Sequence, residues 1–233
     1  MHIKIFQDVI DIIRRKKNIT HNKIVGKNNI NIPKNLKKKI KLNIVGENNT
    51  IVISENNNIL GVVNINIYGN NNQVVLGENV SIILGLNISI GNNHVFHGEV
   101  ENVNVSIGEN TRIEDANITT FNSNNSISIG KNCLISLKVN FYNTDGHPIY
   151  DKVSEKITNI VKNMKIGDSC WIGYNATILK GVSLPNNTIV GWGSVVSKSI
   201  TKEFCALAGN PAKIIKENVI WKSGDKNYVQ NKW

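Results

Sequence analysis

The sequence predicts an all-β protein, a parallel β-helix in which short strands and tight turns wind into stacked coils. An aliphatic residue recurs at every sixth position from Ile166 to Val196, and a small or aliphatic residue follows each of them by four positions. Upstream, a tetrad of the form aliphatic–Gly–x–Asn recurs. An α-helix needs a period near 3.6 residues and a flat strand a period of 2, whereas a strict period of six is typical of a β-helix.

The hexapeptide positions predict which side chains fill the core. The aliphatic residue of each six points to the coil axis, and the residue four places later fits where the chain turns. The aliphatic set is Ile166, Ile172, Ile178, Leu184, Val190 and Val196. The second set is Cys170, Ala176, Val182, Thr188, Ser194 and Ile200.

The upstream tetrads predict further coils and their corners. Copies begin at positions 25, 45, 68, 76, 90, 107 and 129. Most follow the previous copy by about 20 residues, close to the roughly 18 residues of three hexapeptides. Gly and Asn tolerate the positive φ that a tight corner requires, and asparagines at equivalent corners can stack as hydrogen-bonded ladders.

The chain divides into three predicted parts. Residues 1–20 carry apolar residues at helical spacing and predict a short amphipathic helix. Residues 21–217 form the β-helix, interrupted by an insertion loop at 137–165 where the period disappears. Residues 218–233 form a tail. We expect short helices at both ends, because the ends of a solenoid must be covered.

Charge narrows the choice of partners. The 233 residues carry a net charge of +10 at pH 7. This excess predicts an anionic partner, although the joint enrichment of Lys, Asn and Ile expected from an AT-rich genome explains it equally well. We expect no nucleic-acid partner, because no recognition motif for nucleic acid occurs.

Composition also indicates the compartment. No apolar run reaches the roughly 18 residues that a membrane span requires. The three cysteines Cys133, Cys170 and Cys205 do not suggest a disulfide framework, and the first two fall at inward positions where they would pack in the core. We therefore expect a cytoplasmic protein without a membrane span.

The insertion loop carries the candidate catalytic group. Asp145, Gly146, His147 and Pro148 follow one another there. Pro148 favours an extended backbone at His147, and residues two apart share a face of an extended segment. Asp145 could then fix the tautomer of the His147 imidazole and support its charged form.

The hexapeptide run, the DGHP loop and the closing GNPAKIIK together resemble the left-handed β-helix acyltransferases, and within them the bacterial capsule O-acetyltransferases that act on polysialic acid. The resemblance covers residues 105–217 well and the earlier coils more loosely. It implies acetyl-CoA as the acyl donor and a homotrimer with active sites between subunits. It also implies that His147 is the general base. Trp171, which points outwards before Ile172, would line the thioester end of the cofactor channel or be covered by a neighbouring subunit.

The same resemblance implies a set of cofactor-binding residues along the hexapeptide run. Gly and Ser positions would leave room for the pantetheine arm, and lysines would receive the phosphates, with the lysine of GNPAK foremost. The set is Trp171, Gly173, Lys180, Gly191, Ser194, Lys198, Lys202 and Lys213. No metal is expected, because His94 and His97 lack a third histidine at a comparable coil spacing.

Three functions fit these features. The first is an acetyl-CoA-dependent O-acetyltransferase that acetylates a sugar hydroxyl of a surface polysaccharide or its precursor, by direct transfer without an acyl-enzyme. An acidic polysaccharide such as a sialic acid chain is one candidate acceptor. The second is an acetyltransferase for a small molecule, such as a nucleotide-linked amino sugar, a free sugar or an antibiotic. The third is a non-enzymatic solenoid that serves as a binding module.

Overall fold

Short strands dominate the computed structural model, which describes residues 22–92 and 99–222. Within these ranges the one helical element among the assigned elements is a 3-10 turn at Lys37–Lys39. The strands are Lys23–Val25 (β1), Asn29–Asn31 (β2), Ile40–Val45 (β3), Thr50–Ile53 (β4), Asn58–Ile59 (β5), Val62–Asn70 (β6), Gln73–Leu76 (β7), Ser81–Ile90 (β8), Val100–Glu101 (β9), Asn104–Ile107 (β10), Arg112–Thr120 (β11), Ser126–Ile129 (β12), Leu134–Ile135 (β13), Val139–Tyr142 (β14), Met164–Ile166 (β15), Trp171–Ile172 (β16), Thr177–Leu179 (β17), Ser183–Leu184 (β18), Thr188–Val190 (β19), Val195–Val196 (β20), Cys205–Gly209 (β21) and Ala212–Glu217 (β22).

The strands stack in parallel on three sides of a coil. Side 1 is a sheet in the order β18-β15-β12-β10-β7-β4-β2. A larger sheet forms the other two sides, because its long strands bend at a corner: the start of β11 pairs with β13 and its later part pairs with β14. Side 2 therefore contains β13, β16, β19 and β21. Side 3 contains β3, β6, β14, β17 and β20, together with the later parts of β8 and β11.

The hexapeptide prediction of the core is confirmed. Each of the six aliphatic residues from Ile166 to Val196 is at most 1% exposed. The second set is buried as well from Cys170 to Ser194, and Ile200 packs partly buried against the core. Alternate residues along β6 follow the pattern expected of strands with one face inward. Burial of this continuous aliphatic column is the main source of stability in such a solenoid.

The predicted corner chemistry is also confirmed. Asparagines of the tetrads adopt positive φ at the turns, with values of 57° at Asn48, 56° at Asn71 and 57° at Asn110. One column of asparagines is buried inside the corners. Asn49 Nδ2 donates to Asn28 Oδ1 at 2.9 Å, and Asn72 Nδ2 donates to Asn49 Oδ1 at 3.0 Å.

A second asparagine column runs along the outer surface of side 3. Asn64 donates to Asn87 at 2.7 Å, Asn87 to Asn117 at 3.0 Å and Asn117 to Asn140 at 3.1 Å, each through Nδ2 to Oδ1. These residues share one register position of β6, β8, β11 and β14. They line a shallow polar cleft of about 530 Å³. Outward amides therefore tie successive coils together in addition to the backbone.

The structure narrows the insertion loop. The sequence placed it at 137–165, but Val139–Tyr142 still pairs with the coils on both sides and Met164–Ile166 resumes side 1. The excursion is therefore residues 143–163. Inside it, Tyr150 and Ile157 form an isolated antiparallel bridge.

The expected C-terminal helix is not found up to residue 222. Instead, Cys205–Gly209 and Ala212–Glu217 form an antiparallel hairpin whose first strand adds to β19. The hairpin covers the open end of side 2, because a second strand satisfies the backbone groups that an end strand would leave exposed. The predicted N-terminal helix, His94 and His97 lie outside the described residues. In the described part of the chain, no helix has the length and apolar character needed to cross a membrane.

The buried column makes a first prediction. Asn49→Ala removes the oxygen that accepts from the backbone N–H and the Nδ2 of Asn72, both at 3.0 Å, and removes a donor to the Gly69 carbonyl. A buried polar group without a partner costs about 1–3 kcal/mol. We expect a clearly lower urea midpoint, measured by circular dichroism. Asn43→Ala, on the outer surface of side 3, is the control, and equal midpoints for the two variants would contradict the prediction.

Candidate active site

The insertion loop leaves the coil at the corner between side 3 and side 1. It encloses a cleft of about 450 Å³, lined by loop residues 144–148, 157 and 159–161 and by the shorter turn at 121–123. His147 lies in this lining and is exposed. His147 therefore borders an open cleft large enough for part of a bound molecule.

A single asparagine fixes the part of the loop that carries His147. Asn159 Nδ2 donates to Asp145 Oδ2 at 2.7 Å and to the His147 carbonyl at 2.9 Å. Its Oδ1 accepts from the Ile149 N–H at 2.7 Å. Gly146 has a φ of 77°, the left-handed conformation that favours glycine. These contacts hold the backbone on both sides of His147.

Asp145 is tied to the β-helix by an ion pair. Lys180 Nζ contacts Asp145 Oδ2 and also donates to the Asn159 carbonyl at 3.1 Å. Burial of the Asp145 carboxyl opposes its ionisation, but hydrogen bonds from Lys180 and Asn159 and the charge of Lys180 outweigh it, so the pKa of Asp145 is lowered. The pair therefore persists at neutral pH and is lost only on acidification below the usual range of an aspartate.

Asp145 and Lys180 have different partners from those that the sequence predicted. Asp145 was expected to orient the His147 imidazole, and Lys180 was expected to bind a cofactor phosphate. The structure places the Asp145 carboxylate against Lys180 and Asn159. Lys180 lies in the turn after β17 and holds the root of the loop.

Trp171 lies on side 2, at the start of β16. Its side chain is half-buried on the outer surface, and its Nε1 donates to Ser136 Oγ at 3.2 Å on the preceding coil. The loop with His147 leaves from the corner opposite side 2. Of the three predicted catalytic residues, His147 and Asp145 on the loop therefore lie on a different side of the chain from Trp171.

The predicted cofactor residues of side 2 fall into two groups. Gly173 and Gly191 follow β16 and β19 on the same side as Trp171. A Cβ at Gly173 would lie 2.6 Å from the Val190 carbonyl oxygen, so tight stacking of coils is itself a reason for glycine there. Ser194 is fully buried, and its hydroxyl accepts from the Gly209 N–H at 3.3 Å. Its side chain is therefore not accessible to a ligand on the surface, contrary to the prediction.

Three of the predicted lysines lie at the C-terminal end of the solenoid. Lys198, Lys202 and Lys213 are exposed. Lys202 forms a surface ion pair with Glu217 at 2.9 Å, an interaction of small net energy. This end of the described chain offers positive charge to a bound anion.

All three cysteines are buried, as was predicted for Cys133 and Cys170. A hydrogen bond with Cys133 and burial both raise the pKa of the Cys170 thiol. Burial raises the pKa of Cys205. The thiols of Cys170 and Cys205 are therefore poor nucleophiles, because the thiolate is the reactive form. A hydrogen bond with Cys170 lowers the pKa of Cys133, but the Cys133 side chain is buried and out of reach of a substrate. Within residues 22–92 and 99–222, no group of three side chains suited to a metal ion occurs.

The sequence analysis did not identify four residues that hold the candidate site in place. Asn159 and Lys180 fix the loop, and Ser136 and Trp221 contact Trp171. Trp221 donates from Nε1 to the Ser169 carbonyl at 2.7 Å and packs against Trp171. Asn159 could not be singled out, because asparagine is abundant throughout the chain. The isolated Trp221 at the end of an apolar stretch was the one available signal.

Comparisons with known proteins agree with the fold. Residues 164–198 match the family described as hexapeptide repeat of succinyl-transferase. The chain is 40% identical over 100 residues to a polysialic acid O-acetyltransferase of Escherichia coli O1:K1, which is 43% of this chain and 32% of that protein. It is 37% identical over 102 residues to a polysialic acid O-acetyltransferase of Neisseria meningitidis, which is 44% of this chain and 46% of that protein. The match thus spans less than half the length of these two relatives.

A solved structure matches over a greater length. The crystal structure of the polySia specific acetyltransferase NeuO has a TM-score of 0.63 and 30% sequence identity, and the match covers 82% of this chain and 92% of that one. The fold is therefore a left-handed β-helix of the hexapeptide-repeat class, as predicted. The chain belongs to the hexapeptide-repeat acyltransferase family.

The hydrogen bonds of Asn159 make a second prediction. Asn159→Ala removes three bonds that hold residues 145–149, and each net bond is worth about 1 kcal/mol. We expect the loop to open more often, so that trypsin cleaves after Lys152 or Lys156 roughly tenfold faster or more. Cleavage is followed by mass spectrometry. Ile160→Ala, an exposed neighbour, is the control, and an unchanged cleavage rate in Asn159→Ala would rule out this role.

Proposed function

We propose that this chain is an acetyl-CoA-dependent O-acetyltransferase that acetylates a sugar hydroxyl of a surface polysaccharide or its precursor. The observation that carries the proposal is an exposed histidine, His147, on a loop pinned beside a polar cleft. Support comes from the polysialic acid O-acetyltransferases to which the chain is similar. Buried cysteines argue for direct transfer rather than for a thioester intermediate on the enzyme.

His147 acts as the general base in this proposal. A sugar hydroxyl is a weak nucleophile at neutral pH, and removal of its proton during attack contributes about 10²–10⁴-fold. The imidazole takes the hydroxyl proton as the oxygen adds to the thioester carbonyl. The tetrahedral intermediate then expels the coenzyme A thiolate, which takes the proton from the imidazolium. The products are an acetyl ester and free coenzyme A, and the imidazole is regenerated.

Asp145 contributes by position. Its carboxylate is ionised and held by Lys180 and Asn159. Because Asn159 also binds the His147 carbonyl, these contacts fix the backbone from which the imidazole projects. In this proposal Asp145 and Lys180 act through the loop, and His147 alone exchanges the proton.

The acyl donor would lie along side 2. In this proposal Trp171 lines the thioester end, Gly173 and Gly191 allow the pantetheine arm to approach the coils, and the lysines at the C-terminal end receive the phosphates. The phosphate candidates are Lys198, Lys202 and Lys213, all exposed. Phosphate groups are strong acceptors for such charged donors.

We propose a cytoplasmic homotrimer in which each site lies between two subunits. His147 and Trp171 leave one chain on different sides, so a site that contains both requires a second copy. Large apolar side chains on the surface of the single chain support this view: Trp192 is 75% exposed and Leu84 63%. Contacts between copies would remove such groups from water.

The catalytic role of His147 makes a third prediction. With acetyl-CoA and a saccharide acceptor, His147→Ala should release free thiol at least about 10²-fold more slowly than the wild type. Its melting temperature should be unchanged, because the side chain is exposed. Undiminished turnover in this variant would remove His147 from the mechanism.

The same assay decides between the proposed functions through its acceptors. The panel contains polysialic acid, a neutral polysaccharide, a nucleotide-linked amino sugar and a free sugar. We expect the highest kcat/KM with a polymer. A preference for a small acceptor would favour the small-molecule acetyltransferase. Absence of both turnover and calorimetric binding of coenzyme A would favour a binding module.

The shared site makes a fourth prediction. His147→Ala and Trp171→Ala should each be nearly inactive, because each lacks one half of every site. Mixed trimers made by co-expression should regain activity, since about one site in four of a random trimer combines an intact loop with an intact side 2. Thiol release of the co-purified mixture measures this. Sites confined to one chain would give no recovery.

A further inference from the structure

The last described residues return to the β-helix and reach Trp171. After β22, Asn218 adopts a φ of 56° and the Val219 N–H donates to the Phe204 carbonyl at 3.0 Å. The chain then places Trp221 against side 2, where its Nε1 donates to the Ser169 carbonyl at 2.7 Å. The rings of Trp171 and Trp221 are 6.4 Å apart between centroids and tilted by 48°. Such tilted pairs are favourable arrangements of aromatic rings.

Trp171 is thereby held from two directions. Its own Nε1 donates to Ser136 Oγ at 3.2 Å, and Trp221 packs against its ring. Trp221 is in turn fixed by a hydrogen bond to a backbone carbonyl in the turn before β16. Neighbouring Ile220 is 61% exposed and faces solvent. The segment therefore buries part of one large side chain against the tryptophan and leaves the next apolar one outside.

We propose that Trp221 is a positioning residue that sets the orientation of Trp171 and limits the size of the acyl group. The indole of Trp221 fills the space beside Trp171 on the surface of side 2. An acyl chain longer than acetyl would need that space. This inference rests on the proposed function, because it assigns Trp171 to the thioester end of the donor.

The test compares acetyl-CoA with butyryl-CoA as donors for the wild type, Trp221→Ala, Trp221→Phe and Ile220→Ala. Where a substrate differs from its competitor by one methylene group in an apolar pocket, the ratio of their kcat/KM values changes by roughly 10–200-fold. We expect Trp221→Ala to raise the butyryl-to-acetyl ratio of kcat/KM at least about tenfold. A misplaced Trp171 should also lower kcat with acetyl-CoA by up to about 10²-fold.

The other variants separate positioning from folding. Trp221→Phe keeps a ring against Trp171 and should retain most of the acetyl selectivity, and Ile220→Ala should behave as the wild type. Trp221→Ala with a wild-type ratio, in an active enzyme, would overturn the inference alone. A wild type that transfers neither acyl group would overturn the proposed function and this inference with it.

Discussion

Backbone stacking between coils is the interaction on which this structure depends. Along side 1, each strand between the end strands β2 and β18 pairs in parallel with the strand one coil below and the strand one coil above. Register fixes which residue types can share a column, because a side chain and its neighbours on adjacent coils point the same way. Aliphatic residues then build the core, and small residues and asparagines with positive φ make the corners. Because every coil repeats the same columns, the sequence shows a strict period of six residues.

The loop with His147 is the one place in the described chain where a long segment leaves this register. Residues without coil neighbours must obtain their order elsewhere, and here the order comes from Asn159 and from the ion pair between Asp145 and Lys180. Lys180 belongs to the coil that follows the loop. The solenoid thus positions a loop that has no core of its own. Loops held by a rigid scaffold in this way often carry function.

The regular parts of the fold could be predicted from the sequence, and the irregular parts could not. The burial of the aliphatic residues from Ile166 to Val196 could be predicted from their spacing alone, because every coil places its sixth residue in the core. His147 was identifiable from its chemistry and from its place in the interruption. The partners of Asp145 depend on where a flexible lysine and one of many asparagines come to lie, which no periodicity encodes. Likewise, a short helix was expected to cover the C-terminal end of the solenoid, but Ala212–Glu217 pairs with β21 as an antiparallel strand, since an open sheet end favours one more strand over a separate helix.

The outer asparagine column on side 3 bears on how this chain can change in length. Asn64, Asn87, Asn117 and Asn140 repeat one contact from coil to coil. A coil that carries asparagine at that position can join the stack between β6 and β14, because there its neighbours above and below offer the same donor and acceptor. Coils upstream of β11 can therefore be gained or lost as whole units without disturbing the register of the loop or of Trp171. The number of coils can therefore change while the coils that carry the loop with His147 and Trp171 keep their own register.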